Sequence, residues 1–587
     1  MRKLFIFLLC VMLSANMIAA YYVAGNGSTG NPWCDGKWWV INGSAMTDQG
    51  NGLWTKTFSE VPVGNYEFKV TNGTSTWLGI SKFSQTCSNI MCYGSDNIMF
   101  MLTQAQDITI SYDGTKICVE GSKGSEKPDP SQYAKVGVPA EYEGVMLQAF
   151  YWDSYSSDKS TTIYSRTKYI DLVNNFADEI GTNFDLVWLP PSGKGTGGVG
   201  YYVQCYSDLD ATDWGQKTTL LNLLSKLHSH GCKVLADIVI NHFNSSSGWA
   251  KSFRKNNFGS YGTYQITSKH ICAGDEAFTD SKSDSKNLEH GGADSGTNDA
   301  GCRALDHNNT HVQDMCKAYT QWMINTIGFD GFRYDMTLGY AGQYLSMYNL
   351  ASEPFFSVSE CWEGLNVIKT HLEAASYNTL AFDFPTKYKF NDWKGGTAYT
   401  HLKNPGLRSL GLSKYAVTFI DNHDTFHRPD NRGGEFLGYN TNLSQKKSQI
   451  LEANAYLLMM PGVPCVFWPH WYTFREDINQ LIAIRKQVGI HSESEVSNET
   501  ASTNTYSATI VGHNGKAILR MGSARNTSTP MGYTKAYEGD NFDIYVQLLT
   551  AVEHVETNAV PAKILDNGTL YILKDGVRYT LDGRKAE

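Results

Sequence analysis

Eight short apolar segments recur along the middle of this chain, each followed by a loop and a stretch of helical spacing. In order they read GVMLQAFYW, DLVWLPP, VLADIVIN, GFRYDM, FSVSEC, LAFDF, YAVTFID and VPCVFW. Near-continuous apolar runs are what strands buried on both faces require. The stretches between them, such as LLNLLSKLHSHG and MCKAYTQWMINTIG, place apolar residues at helical intervals. Strand and helix in alternation imply parallel neighbours joined by crossovers, and eight such units close as a (β/α)8 TIM barrel over about residues 136–490. The connection after the third strand, about residues 243–309, is too long for a loop and reads as a domain inserted into the barrel.

The flanks have a different period. Residues 21–121 carry short alternating runs such as YEFKVTNG and DITISYDGTKICVEG between Gly, Asn and Asp turns, which predicts an N-terminal β-sandwich. Residues 122–135, with Pro128 and Pro130, read as a linker. Strand-like runs return in residues 491–548, a C-terminal antiparallel β domain, and residues 549–587 read as a tail hairpin. Residues 1–20 combine two basic residues, an apolar run and small residues, the layout of a secretory signal peptide, so a secreted protein is expected. No later segment has the roughly 20 apolar residues of a membrane span. In an exported chain Cys34, Cys87, Cys92, Cys118, Cys272 and Cys302 are disulfide candidates. Cys232, Cys361 and Cys465 lie in apolar runs and read as small buried hydrophobes.

Composition narrows the ligand. Aromatic residues make up 13% of the chain and charged residues 18%, with a net charge of −9 and no Lys/Arg-rich block. The basic footprint of a nucleic-acid binder is missing, and an uncharged polar ligand suits this surface better. A monomer is expected. In a barrel of this kind functional side chains come from the C-terminal strand ends. There stand Asp237, Asn241 and His242 after the third strand, Arg333 and Asp335 after the fourth, Glu360 after the fifth, and His423 and Asp424 after the seventh. Taken singly, each is also explained as a helix cap, a core histidine or a structural ion pair.

Taken together, ADIVINH, GFDGFRYD, SVSECW and FIDNHD occur in the order of the four short motifs of the α-amylase superfamily, glycoside hydrolase family 13, which this chain resembles over about residues 144–547. The text around them looks closest to plant-type α-amylases, and the N-terminal sandwich is similar to starch-binding modules. Cleaving an acetal needs a carboxylic acid to protonate the leaving group opposite an ionised carboxylate. Asp335, near Arg333, is the expected nucleophile, because a guanidinium favours the charged form. Glu360, on an otherwise apolar strand where desolvation raises a carboxyl pKa, is the expected acid/base.

The resemblance implies further roles. Asp424 would bind hydroxyls of the sugar at the cleavage point, His242 and His423 would donate hydrogen bonds to that ring, Tyr201 would stack on it, and Asp237 would support Arg333. Calcium is the implied cofactor, with Asn241, Asp294 and the Gly339 carbonyl as ligands. Relatives read Pro-Asp-Ile-Asp-His where this chain reads Arg303-Ala304-Leu305-Asp306-His307, so Ala304 replaces a ligand carboxylate. Weak or altered calcium binding is expected, with Asp299 as a substitute ligand or a Cys272–Cys302 bridge as a substitute staple. Leu338 stands where relatives often carry a basic residue on the leaving-group side. Trp33, Trp38, Trp39, Trp54 and Trp77 are candidate sugar platforms, Trp77 the best placed in a loop-like NGTSTWLG. The implied function is endo-hydrolysis of α-1,4 bonds in starch or related α-glucans. The alternatives are an α-glucan transglycosylase or exo-acting maltooligosaccharide hydrolase, and an inactive glucan-binding protein.

Overall fold

The computed structural model describes residues 21–27, 45–122 apart from 63, 85–86, 91, 94–96 and 103–104, 136–426 apart from 153, 156–165, 298–300 and 394–397, 443–549 apart from 527, and 562–579 apart from 567–568 and 575–576. The expected signal peptide, Cys34, Trp33, Trp38, Trp39, Asp299 and nearly all of the expected linker lie outside these residues.

Eight strands close a barrel in chain order: β1 (Met146–Gln148), β2 (Leu186–Trp188), β3 (Lys233–Ile238), β4 (Gly331–Tyr334), β5 (Phe356–Ser359), β6 (Leu380–Phe382), β7 (Ala416–Phe419) and β8 (Val463–Phe467). Each coincides with one of the eight apolar segments of the sequence, β3 starting one residue earlier at Lys233. Every residue of β4, β5, β7 and β8 is buried, as strands covered on both faces must be. The parallel register sets Asp237 of β3 opposite Arg333 of β4, so their side chains share a face. By the two-residue period Asp335 shares it too, while Tyr334 points the other way, where its hydroxyl donates to Asn349 Oδ1 at 2.9 Å.

By internal contacts the chain divides into two compact units, residues 1–139 with 148–385 and residues 140–147 with 386–587. In the first, two antiparallel sheets of five and four strands enclose an apolar core that includes Val70, Ile98, Phe100 and Ile110. Cys87 and Cys118 form a disulfide there. Cys92 is buried, and Cys272 and Cys302 are free and buried, so the Cys272–Cys302 bridge is not formed. The reason is register: Ile271 pairs with Leu305, and the Cys272 N–H bonds Ala304 O, so the strands align Cys272 with Ala304 and leave Cys302 two residues further on. Cys232, Cys361 and Cys465 are buried, as their apolar settings imply. Trp54 packs edge-on against Tyr21 in the sandwich core, which removes it from the candidate platforms, whereas Trp77 is 40% exposed.

The long excursion after β3 leaves and returns through a two-strand bridge, His242 opposite Ala304 and Phe243 opposite Arg303. Between these ends Arg303 pairs with Asp275 at 2.7 Å and with Glu276, and packs over Trp249. Asp275 also accepts the Ala304 N–H at 2.9 Å. In the second unit a five-stranded antiparallel sheet runs from Glu495 to Leu548, and the strands Ala562–Asp566, Thr569–Lys574 and Val577–Tyr579 form a separate three-stranded sheet. Among the described residues no helix is long and apolar enough to cross a membrane.

Burial drives two imidazoles of the first unit, His307 and His371, down to about 4. An unfolded imidazole binds its proton near about 6.5, so between roughly pH 6.5 and 4 the unfolded chain takes up protons that the native chain does not. The stability present above that window is lost as pH falls through it, by up to about 3 kcal/mol per ring. Urea titrations at stepped pH should trace this acid limb, and His371→Gln should make it shallower; an unchanged slope would exclude His371 as a cause.

Candidate functional site

The site is built around a guanidinium. Arg333, in the middle of β4, is fully buried and reaches three carboxylates: Nη1 lies 2.9 Å from Asp237 Oδ1 and 2.6 Å from Asp335 Oδ1, and Nη2 lies 2.6 Å from Glu360 Oε1. The Trp188 and Tyr201 rings flank it, with centroids 4.9 and 5.8 Å from Cζ. Burial opposes the charge on Arg333, but Asp237, Glu360, Tyr201 and Asp335 outweigh it, and its pKa lies well above the ordinary value. The guanidinium therefore stays charged at any working pH.

Each carboxylate has a distinct setting. Asp237 is buried and accepts three bonds, from Arg333, from Trp188 Nε1 at 3.0 Å and from the Tyr201 hydroxyl at 2.8 Å. Burial pushes its carboxyl up to about 7, with Arg333 pulling against that and Asp335 adding to it. All its oxygens are engaged inside the chain, which suits a supporting role. Asp335 directly follows β4, and Met336 after it takes a left-handed backbone with φ 44°, costly for a residue with a Cβ. That turn aims the Met336 N–H at Glu360 Oε2, 3.0 Å away. Glu360 was expected among apolar neighbours. It is buried, but beside a cation and a backbone donor, because the register of β4 and β5 brings the strand ends together.

Tyr201 and His242 join the same cluster. His242 Nε2 lies 2.9 Å from Tyr201 O and Nδ1 lies 3.1 Å from Asn241 Nδ2, consistent with Nε2 donating and Nδ1 accepting. Both nitrogens thus have partners within the chain, and His242 braces the Tyr201 loop. In the second unit His423 Nε2 and Asp424 Oδ2 lie 3.1 Å apart, on a turn in which Asn422 Oδ1 accepts the N–H groups of Asp424 and Thr425. Trp188 and Met336 escaped the sequence reading. An indole at a buried strand end needs an acceptor, which is a signal for Trp188; the Met336 contact depends on a backbone angle, for which side-chain type carries no signal.

For a cation, the structure sets Asn241 Oδ1 against Gly339, where an added Cβ would lie 1.6 Å from it. Asp294 Oδ1 is buried without a hydrogen-bond partner. Burial raises the Asp294 carboxyl above its ordinary value, with the Cys272 thiol bonded to it and Asp275 and Asp306 adding to the rise. The orphaned Asp294 oxygen, on a carboxyl that Asp275 and Asp306 also act on, and the Asn241 amide oxygen are each hard oxygen donors of the kind calcium takes. Position 304 adds only a methyl group and an N–H already given to Asp275. One other group, Glu141, His491 and His513, brings ligand atoms within 4.8 Å of one another among the described residues. Its imidazoles stack at 4.2 Å with planes 15° apart, and a metal bonds in the plane of a ring, so the two do not converge on one ion.

Comparison with known proteins gives the following similarities. The family model "Alpha amylase, catalytic domain" matches residues 175–346. "Probable alpha-amylase 2" of Arabidopsis thaliana is 29% identical over 429 residues, 68% of this chain and 93% of that protein. "Alpha-amylase 3, chloroplastic" of the same plant is 27% identical over 73% of this chain and 46% of its own length. "Glucan 1,4-alpha-maltotetraohydrolase" of Roseateles saccharophilus is 25% identical over 62% of this chain and 66% of its own. Two solved structures share the fold: an Anoxybacillus alpha-amylase (13% identity, TM-score 0.50, 70% of this chain and 98% of that one) and a three-domain cyclomaltodextrin glucanotransferase (15%, 0.51, 70% and 100%).

The dependence of three carboxylates on one fork is testable. Arg333→Lys keeps a positive charge but replaces a planar fork with a single ammonium, leaving buried charge uncompensated. The expected cost is about 3 kcal/mol in denaturant titrations; a variant as stable as wild type would show that the carboxylates do not need the fork.

Proposed function

This chain belongs to the α-amylase superfamily and is a glycoside hydrolase, and from that premise we propose that it is a secreted, endo-acting α-amylase that cleaves internal α-1,4 bonds of starch and related α-glucans with retention of configuration. The observation that carries the reading is the pairing of Asp335 and Glu360 with one buried guanidinium. Two carboxylates on one fork favour the short separation, roughly 5–5.5 Å, at which one attacks directly, over the longer one that admits a water between them.

In this mechanism Glu360 gives its proton to the glycosidic oxygen while Asp335 attacks the anomeric carbon, forming a glycosyl-enzyme and releasing the reducing-side chain. Glu360, now ionised, takes a proton from water, which displaces Asp335 and restores both groups. Arg333 Nη1, 2.6 Å from Asp335 Oδ1, holds that carboxylate in place for the attack. Asp424 and His423 hold ring hydroxyls, and the face of Tyr201, whose hydroxyl is tied to Asp237, is the stacking surface. Export is proposed on residues 1–20, a monomer as the working unit, and Trp77 as a glucan contact of the N-terminal sandwich.

Asp335→Asn and Glu360→Gln should each lower hydrolysis of soluble starch at least about a thousandfold while the protein stays folded. Either variant at wild-type rate would sink the mechanism. Products followed over time decide the mode: a rapid fall in polymer length supports endo cleavage, and early release of one short oligosaccharide supports the exo-acting alternative.

Calcium, commonly bound in this superfamily, is assigned to Asn241, Asp294 and the Gly339 carbonyl, where it would tie the excursion after β3 to the end of β4 and supply no chemical step. With Ala304 in place of a carboxylate the site should be weak. For a Kd of about 1 mM, 10 mM calcium adds only about 1.4 kcal/mol. Ala304→Asp should enlarge the calcium-dependent rise in melting temperature, and equal rises in the two proteins would count against this assignment.

A further inference from the structure

A second fully buried ion pair lies in the second unit and has no part in the chemistry above. Lys387, on the helix Phe384–Trp393, is 0% exposed, and its Nζ lies 2.9 Å from Asp421 Oδ1 and 2.6 Å from Asn391 Oδ1. The other oxygen of Asp421, Oδ2, faces His470 Nε2 at 3.5 Å, on the helix that follows β8. Asp421 lies two residues after β7 and directly before the Asn422 turn that carries His423 and Asp424. His470 is itself buried, against the rings of Phe426 and Phe467.

A lysine is almost never fully buried without a partner, and an ion pair of this kind adds little stability over apolar groups of the same volume. It does add direction: Asp421 Oδ1 is held by Lys387, and Oδ2 faces His470 on a different helix. We propose that the Lys387–Asp421 pair, completed by Asn391 and His470, is a positioning element that sets the orientation of His423 and Asp424 toward the sugar ring. The inference rests on the function proposed above. Displacing a group that holds the reacting ring by about 1 Å costs on the order of a hundredfold in rate, so the pair acts on turnover through Asp424 without touching substrate.

The test compares wild type, Lys387→Met/Asp421→Asn and Lys387→Arg. The double variant removes both charges together, leaves no unpaired ion, and should melt within a few degrees of wild type. On soluble starch its kcat should fall about a hundredfold with KM changed less than threefold, and Lys387→Arg should recover at least a tenth of wild-type kcat. A crystal structure of the double variant should show residues 421–426 displaced. A folded double variant with wild-type kcat and an unmoved 421–426 segment overturns the proposal. Wild-type protein inert on every α-glucan would instead refute the proposed function, and the crystal structure then decides the positioning role alone.

Discussion

Arg333 is the residue on which the arrangement of the site depends. A guanidinium removed from water is costly unless its hydrogen-bonding directions are met by opposite charge. Here Asp237 and Asp335 accept hydrogen bonds from Nη1 and Glu360 lies against Nη2, so three successive strands supply the groups around it. The converse holds for the carboxylates: Asp237 is already pushed up to about 7 by burial with the cation in place. The barrel register supplies the geometry, because Asp237 and Arg333 are cross-strand partners.

The same device recurs where the chain departs from its relatives. In the excursion after β3, Arg303 gathers Asp275 and Glu276, and Ala304 gives its N–H to Asp275. A side-chain cation thus organises carboxylates close to the position where the family resemblance places a metal-binding carboxylate. In the second unit Lys387 does so for Asp421. Fixed internal cations cost desolvation, but unlike a metal they are present in every copy and at every ion concentration.

Much of this was legible in the sequence. The eight barrel strands coincide with the eight apolar runs, since burial on both faces demands unbroken hydrophobicity. Asp237, His242, Arg333, Asp335 and Glu360, named from their strand ends, and Tyr201, named from the family resemblance, come together in one cluster. Other features were not legible. Glu360 looked apolar in its surroundings because its neighbours in sequence are, yet its neighbour in space is Arg333. Cys272 and Cys302 looked like a bridge because both flank one loop, but strand register sets Cys272 against Ala304. Trp54 looked like the other tryptophans, and only its position in the sandwich core separates it from Trp77.

The sequence by itself determined the barrel, its long excursion, the flanking β sheets and the residue types at the strand ends, because periodicity and turn chemistry act over a few residues and are written locally. The tertiary structure alone decided which carboxylate meets which cation, that both nitrogens of His242 are used within the chain, and that Met336 turns its N–H toward Glu360. Those outcomes depend on register and backbone angles between segments tens of residues apart. Electrostatic interactions are set by distance in space, and no local pattern encodes that distance.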